Sequence, residues 1–232
     1  MASFIVLTEE QQRLQREAPP EAVLRCLTSE LGCLTRQDGS ASLSQGDTTV
    51  TAVAYGPAEV RMARERIDRA TVEVVYKPKV GLPRPVDRKK ENIIRNTLES
   101  AIMGSAHPRS AISVIIQETE DLGSNLACCI NAACLALLDA AVGLNFMVAA
   151  VASAVMEDGK IVTDPEKKVE EKAVAVMTFV FESVDHKLVS VLTYGKFTQE
   201  QYKVCRDLCR QTAQSVFAFY RESLEKKLLK TV

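Results

Sequence analysis

Residues 123–138 read GSNLACCINAACLALL, a run without a single charge. Drawn as a helix over residues 124–141, it carries small and apolar side chains nearly all round. Such a helix has no solvent face and belongs inside the protein. Gly143 ends it. The apolar segment before it, residues 111–117, predicts a strand. Residues 147–156 predict another, with a turn at Glu157-Asp158-Gly159 and a short partner at 160–162. A buried helix between strands predicts an α/β (α+β) fold with mixed sheets packed against helices.

Working outward, Gly46-Asp47 separates residues 40–45 from residues 48–55, which predicts a hairpin with a two-residue turn. Residues 22–29 and 71–76 predict further strands, and Asp38-Gly39 a turn. Ile93, Ile94, Thr97, Leu98, Ala101 and Ile102 recur at helical spacing, which predicts a helix over 87–105. Asp164-Pro165 has the form of an N-cap with proline at the first helical position. Residues 173–181 and 187–194 predict two late strands. Thr198 is placed to cap a last helix running to about residue 227. We divide the chain into a tail (1–21), one domain (22–228) and a short tail (229–232).

Composition narrows the function classes. The chain has 232 residues, 47% of them apolar and 25% charged, with a net charge of −1. This is ordinary globular composition. No apolar run is long enough for a membrane-spanning helix, so no membrane partner is expected. The opening residues lack the cationic region of a secretory signal. Seven cysteines, with no C-x-x-C pair and only His107 and His186 as imidazoles, argue against both a disulfide framework and a zinc site. Most of the cysteines are expected to be buried, small apolar residues in a reducing compartment. His107, before Pro108, reads as a turn or interface residue, and His186 as an exposed residue of a polar hairpin.

The near-neutral total hides a pattern. Residues 61–95 hold eleven Lys or Arg against five Asp or Glu. Lys77, Lys79, Arg84, Arg88, Lys89, Lys90 and Arg95 are the candidates for gripping RNA phosphates. Aromatic residues are scarce in that stretch, so tracking of the backbone by charge is favoured over base stacking.

Two further clusters carry possible chemistry. Gly123, Ser124 and Asn125 open the central helix, where backbone N–H groups can hold an anion, although Ser124 also reads as a plain N-cap. Asp164 and Glu170 are candidate acids for proton transfer or Mg²⁺ binding. On a regular helix, residues six apart lie on different faces, so this pair requires irregular backbone. The chain has neither a P-loop nor a G-x-S-x-G elbow.

Several strings taken together resemble the RNase PH family. They are Asp38-Gly39-Ser40-Ala41-Ser42, Gln45-Gly46-Asp47-Thr48, Tyr55-Gly56-Pro57-Ala58-Glu59-Val60, residues 77–83 (KPKVGLP), Ile94-Arg95-Asn96-Thr97, His107-Pro108-Arg109 and the run from Gly123 to Cys134. The resemblance implies an RNase PH fold, related to the second domain of ribosomal protein S5. It further implies a place in the six-membered ring of the RNA exosome, beside other RNase PH-like subunits, under RNA-binding cap subunits and in contact with RNA. Residence in nucleus, nucleolus and cytoplasm is implied with it.

Active members of that family hold phosphate with Gly-Thr-Arg where this chain has Gly123-Ser124-Asn125. Losing the guanidinium removes charge and bidentate geometry together. The resemblance therefore implies a ring subunit without phosphorolytic activity. An RNA-contacting arginine of the family falls near Lys89. The family's paired aspartates match Asp164 and Glu170 in one register, and Glu166 and Lys172 in another. No cofactor is expected. The alternative is a weak phosphorolytic or Mg²⁺-dependent nuclease using Asp164 and Glu170, in isolation as a homodimer.

Overall fold

A computed structural model describes residues 24–231, with side chains described to residue 229. The expected N-terminal tail lies outside the described residues, as do positions 22 and 23 of the first expected strand.

Among the described residues, nine strands form two sheets. The first contains β1 (Leu27–Leu31), β2 (Gly39–Gln45), β3 (Thr48–Glu59), β4 (Thr71–Lys77) and β5 (Ser110–Glu120). Its order is β1-β2-β3-β5-β4, antiparallel except where β4 runs parallel to β5. That parallel pair is joined by helix α1 (Pro85–Ala101), the crossover such a pair requires. The second sheet contains β6 (Val148–Val155), β7 (Ile161–Thr163), β8 (Ala175–Glu182) and β9 (Leu188–Gly195), in the order β7-β6-β8-β9, antiparallel throughout. Helix α2 (Asn125–Asp139) packs on β2 and β3 on one side and on β6 on the other; helix α4 (Gln199–Thr231) lies over β6 and β1.

The central helix is buried as its composition requires. Every residue from Asn125 to Leu137 is inaccessible or nearly so. Gly39 lets β2 approach it, because a Cβ there would sit 2.4 Å from the Ala136 carbonyl oxygen. One polar residue pins the layers together. Asn131 donates its amide to the Ala150 carbonyl at 3.0 Å, and its oxygen accepts from Ala150 N–H at 2.8 Å and from the Tyr220 hydroxyl at 2.9 Å. A helix, a strand and the last helix are thus joined through one buried, hydrogen-bonded side chain.

The hairpin about Gly46-Asp47 is present, with Gln45 opposite Thr48. Thr198 and Gln201 exchange hydrogen bonds at the start of α4, a reciprocal cap. Five cysteines are buried, while Cys26 and Cys33 are exposed.

Other expectations need correction. The first strand begins at Leu27, where pairing with β2 starts, and stops at Gly32, whose φ is +68°. Helix α1 ends at Ala101, because Ile102 turns extended and pairs with Leu144. Residues 229–231 continue α4 instead of forming a tail. Asp164 caps no helix: its φ is +50°, it is buried, and the next helix, α3 (Lys167–Glu170), is one turn long and begins after Glu166. His186 is half-buried, its ring 6.0 Å from that of Phe217.

Candidate anion pocket and basic face

The loop at residues 121–125 is shaped by Gly123. Its φ is +111°, and a Cβ there would lie 2.5 Å from both the Lys167 nitrogen and the Pro165 oxygen. No other residue type lets the start of α2 come so close to the segment before α3. Lys167 N–H donates to the Leu122 carbonyl at 2.9 Å. Thr48 Oγ1 accepts from Leu122 N–H at 3.2 Å and donates to the Gly123 carbonyl at 2.7 Å. Ser124 occupies the N-cap position of α2, as read, but with a positive φ of 55° and no side-chain cap bond; its hydroxyl donates to the Pro165 carbonyl at 3.1 Å.

Two carboxylates fill the donor positions at this helix start. Ser124 N–H donates to Glu170 Oε1 at 2.8 Å. The Asn125 amide donates to Glu118 Oε2 at 2.9 Å, and the Tyr76 hydroxyl donates to the same oxygen. Lys90 Nζ lies 5.0 Å over the Tyr76 ring and reaches its hydroxyl at 3.4 Å. Cys129 Sγ donates to the Asn125 oxygen at 3.0 Å. Burial raises the Tyr76 hydroxyl well above its usual range, with Cys129 and Glu118 adding to it. Burial likewise pushes the Cys128 thiol up to about 12, so neither group is an activated nucleophile.

On the other side of Gly123 stands an ion pair that no local pattern in the sequence announces. Arg25 Nε donates to Asp164 Oδ2 at 2.9 Å and Nη2 to Oδ1 at 2.8 Å. The Arg25 backbone N–H adds a third bond to Asp164 at 3.1 Å, and Nη2 also reaches the Gly123 carbonyl at 3.2 Å. The Asp164 side chain is fully buried and that of Arg25 is 17% exposed. Burial of Arg25 works against its charge, but the hydrogen bond and charge of Asp164, with Cys128 and Glu166 adding, together raise its pKa. Glu170 is held above the usual carboxylate range, chiefly by burial; Ser124 N–H opposes this, Asp121 and Asp164 add to it, and Arg25 opposes it.

Of the two registers for the acid pair, Asp164 and Glu170 turn inward, whereas Glu166 and Lys172 are exposed. Backbone irregularity supplies what a regular helix could not. Asp164 is nonetheless committed to Arg25, and Glu170 to Ser124. Among the described residues, no group of three or more His, Cys, Asp or Glu is placed to hold a metal ion.

The basic residues differ in their partners. Lys90 points inward to Tyr76. Lys79 stands 3.6 Å from Glu120, and Arg84, at the start of α1, lies 3.7 Å from Asp87. Lys77, Arg88 and Arg95 are exposed, with no carboxylate in ion-pair reach among the described residues. Lys89 Nζ sits 4.7 Å over the ring of Tyr194. Sequence reasoning missed Arg25, Glu118 and Tyr194. A lone arginine near a strand start, one glutamate in a polar strand end and a tyrosine more than 100 residues from its cation give no local signal.

Comparison with known proteins settles the lineage. A model of the 3′ exoribonuclease family, domain 1 (RNase PH) matches residues 23–143. The chain belongs to the RNase PH family. It is 34% identical over 220 residues to an exosome complex exonuclease RRP46 homolog of Arabidopsis thaliana, covering 88% of this chain and 92% of that one. It is 32% identical over 179 residues to exosome complex component rrp46 of Schizosaccharomyces pombe, covering 75% of this chain and 78% of that one. The crystal structure of rice (Oryza sativa) Rrp46 superposes with a TM-score of 0.84 at 31% identity, over 92% of this chain and 100% of that one. The RNase PH fold expected from the sequence strings is therefore the fold observed.

Proposed function

We propose that this RNase PH-family chain is a non-phosphorolytic ring subunit of the RNA exosome. Its work is to hold the ring together and to present basic loops to RNA, in support of 3′-to-5′ RNA processing and degradation, rRNA maturation included. The exosome names carried by its relatives support this reading. One observation supports the inactive status: two donors at the start of α2 are bonded to the chain's own carboxylates, Ser124 N–H to Glu170 and the Asn125 side-chain amide to Glu118. A phosphate placed there would meet like charge where active relatives supply a guanidinium. Other RNase PH-like subunits and cap subunits are its proposed neighbours, with a homodimer when those are absent, and nucleus, nucleolus and cytoplasm its proposed locations.

The test is degradation of labelled single-stranded RNA by the purified chain, with and without inorganic phosphate, and with Mg²⁺ or EDTA. The expected result is no turnover in any condition. Phosphate-dependent shortening that disappears in Asp164→Asn would overturn the proposal. Metal-dependent turnover without phosphate, abolished in the same variant, would instead favour the nuclease reading.

A further inference from the structure

Tyr194 lies near the end of β9, and Phe197 follows just beyond it. Both rings face solvent, at 47% and 40% exposure. Neither is loose. Phe197 stacks on Tyr202 with centroids 6.1 Å apart and planes 26° from parallel. Tyr202 in turn leans on buried Phe179 at 5.4 Å. Between Tyr194 and Phe197, Gly195, at φ +91°, presses the chain against the segment entering β8: a Cβ there would lie 2.1 Å from the Val174 oxygen. The strand end is thus held in place while its two aromatic side chains remain open.

The same place is rimmed by cations. Lys89 stands over the Tyr194 ring at 4.7 Å, and Lys196 is exposed between the two rings in sequence. The acid nearest Lys89 in sequence apart from Asp87, Glu91, is turned away, accepting the Tyr76 N–H at 2.9 Å. Glu200 is the one carboxylate between residues 194 and 203. β9 is also an edge strand, bonded to β8 alone, so its outer backbone N–H and C=O groups are unpaired within the described residues.

Supported, exposed rings beside cations match the chemistry of single-stranded nucleic acid, whose bases offer π-faces and whose backbone offers charge. Exposed Val174, against Gly195, and Leu188 on the same strand add apolar area, but the lysine over Tyr194 favours a ligand that carries both π-faces and negative charge. We propose that the surface formed by Lys89, Tyr194, Lys196 and Phe197 binds single-stranded RNA, with bases stacked on the two rings and phosphates met by the lysines. This extends the RNA-contacting role proposed above, and rests on it, by adding stacking to a surface read from sequence as electrostatic only.

The test is fluorescence anisotropy of a 5′-labelled oligouridine of about 12 nucleotides, within the span of single-strand sites, titrated with the full chain at low salt. Tyr194→Ala and Phe197→Ala should each weaken binding about ten-fold, the order expected for removal of one stacking platform. Tyr194→Phe should stay within about two-fold of the parent, because the π-face is kept. Both rings are exposed, so melting curves should show all three variants folded.

If the alanine variants bind like the parent while Lys77→Ala/Arg88→Ala/Arg95→Ala weakens binding, the stacking surface is refuted and the broader RNA reading survives. If the parent chain itself binds no RNA, both fall. Equal affinity for a duplex of the same sequence would also refute stacking. So would a Tyr194→Ala variant that changes mass in solution without changing RNA affinity, since that would mark a protein interface.

Discussion

The neighbourhood of Gly123 and the face around Lys89 are both dense in charge, yet they are built in opposite ways. Around Gly123 the principal charged and polar groups are paired internally: Arg25 with Asp164, Ser124 with Glu170, Asn125 and Tyr76 with Glu118. Along α1 and the end of β9, cations and rings are left open to solvent, and Lys77, Arg88 and Arg95 have no carboxylate in reach among the described residues. Buried charge must be compensated within the chain; exposed charge is free to be compensated by something else. The neighbourhood of Gly123 is internally compensated, whereas the face around Lys89 leaves cations and rings to solvent.

Three perturbations would break or sharpen this contrast. The largest should come from the buried pair. Asp164→Ala strands a guanidinium, and Arg25→Ala strands a carboxylate; each should lower unfolding stability by about 3 kcal/mol. The double variant should lose less than the two singles together, as a denaturation cycle would reveal. Additive losses would mean that the pair is not a unit.

A smaller effect of opposite sign is expected from Glu170→Gln. Burial holds this carboxyl above its ordinary 4.5, so the folded state binds its proton more tightly than the unfolded state does. The cost of ionising it is present at neutral pH and vanishes as pH falls through its folded value. The variant should therefore be more stable than the parent at neutral pH, by less than about 1 kcal/mol because the site is partly screened by solvent. The difference should disappear in acid melts.

The smallest effect on folding should come from Lys77→Ala, Arg88→Ala and Arg95→Ala. Each should change stability by no more than about 0.5 kcal/mol. Where the cation removed is one that neutralises a phosphate, the salt slope of RNA binding should fall by about one. A large stability loss in this set would erase the contrast between the two regions.

How much of this was legible in the sequence depended on range. The Gly46-Asp47 hairpin, the uncharged central helix and the Thr198 cap are written in residues within a turn or two of one another, and all three are observed. The Asp164-Pro165 signal is local too, but a distant arginine overrides it: a carboxylate bonded to Arg25 is not available to cap a helix. Ser124 likewise sits where a cap belongs, yet its φ is positive and its hydroxyl bonds the Pro165 carbonyl instead. The scarcity of aromatics near the basic run argued against stacking, because the ring that meets Lys89 arrives from β9. Tertiary placement made each of those readings incomplete.

The Arg25–Asp164 bond also has a consequence in time. Its partners are 139 residues apart in the chain, and Ser29 meets Ser223 on the last helix across a separation of 194. A ribosome adding about 5–20 residues per second leaves Arg25 waiting on the order of ten seconds for its counter-ion, and β1 waiting longer for α4. Until then Arg25 is answered only by water, and β1 lacks the cover of the last helix.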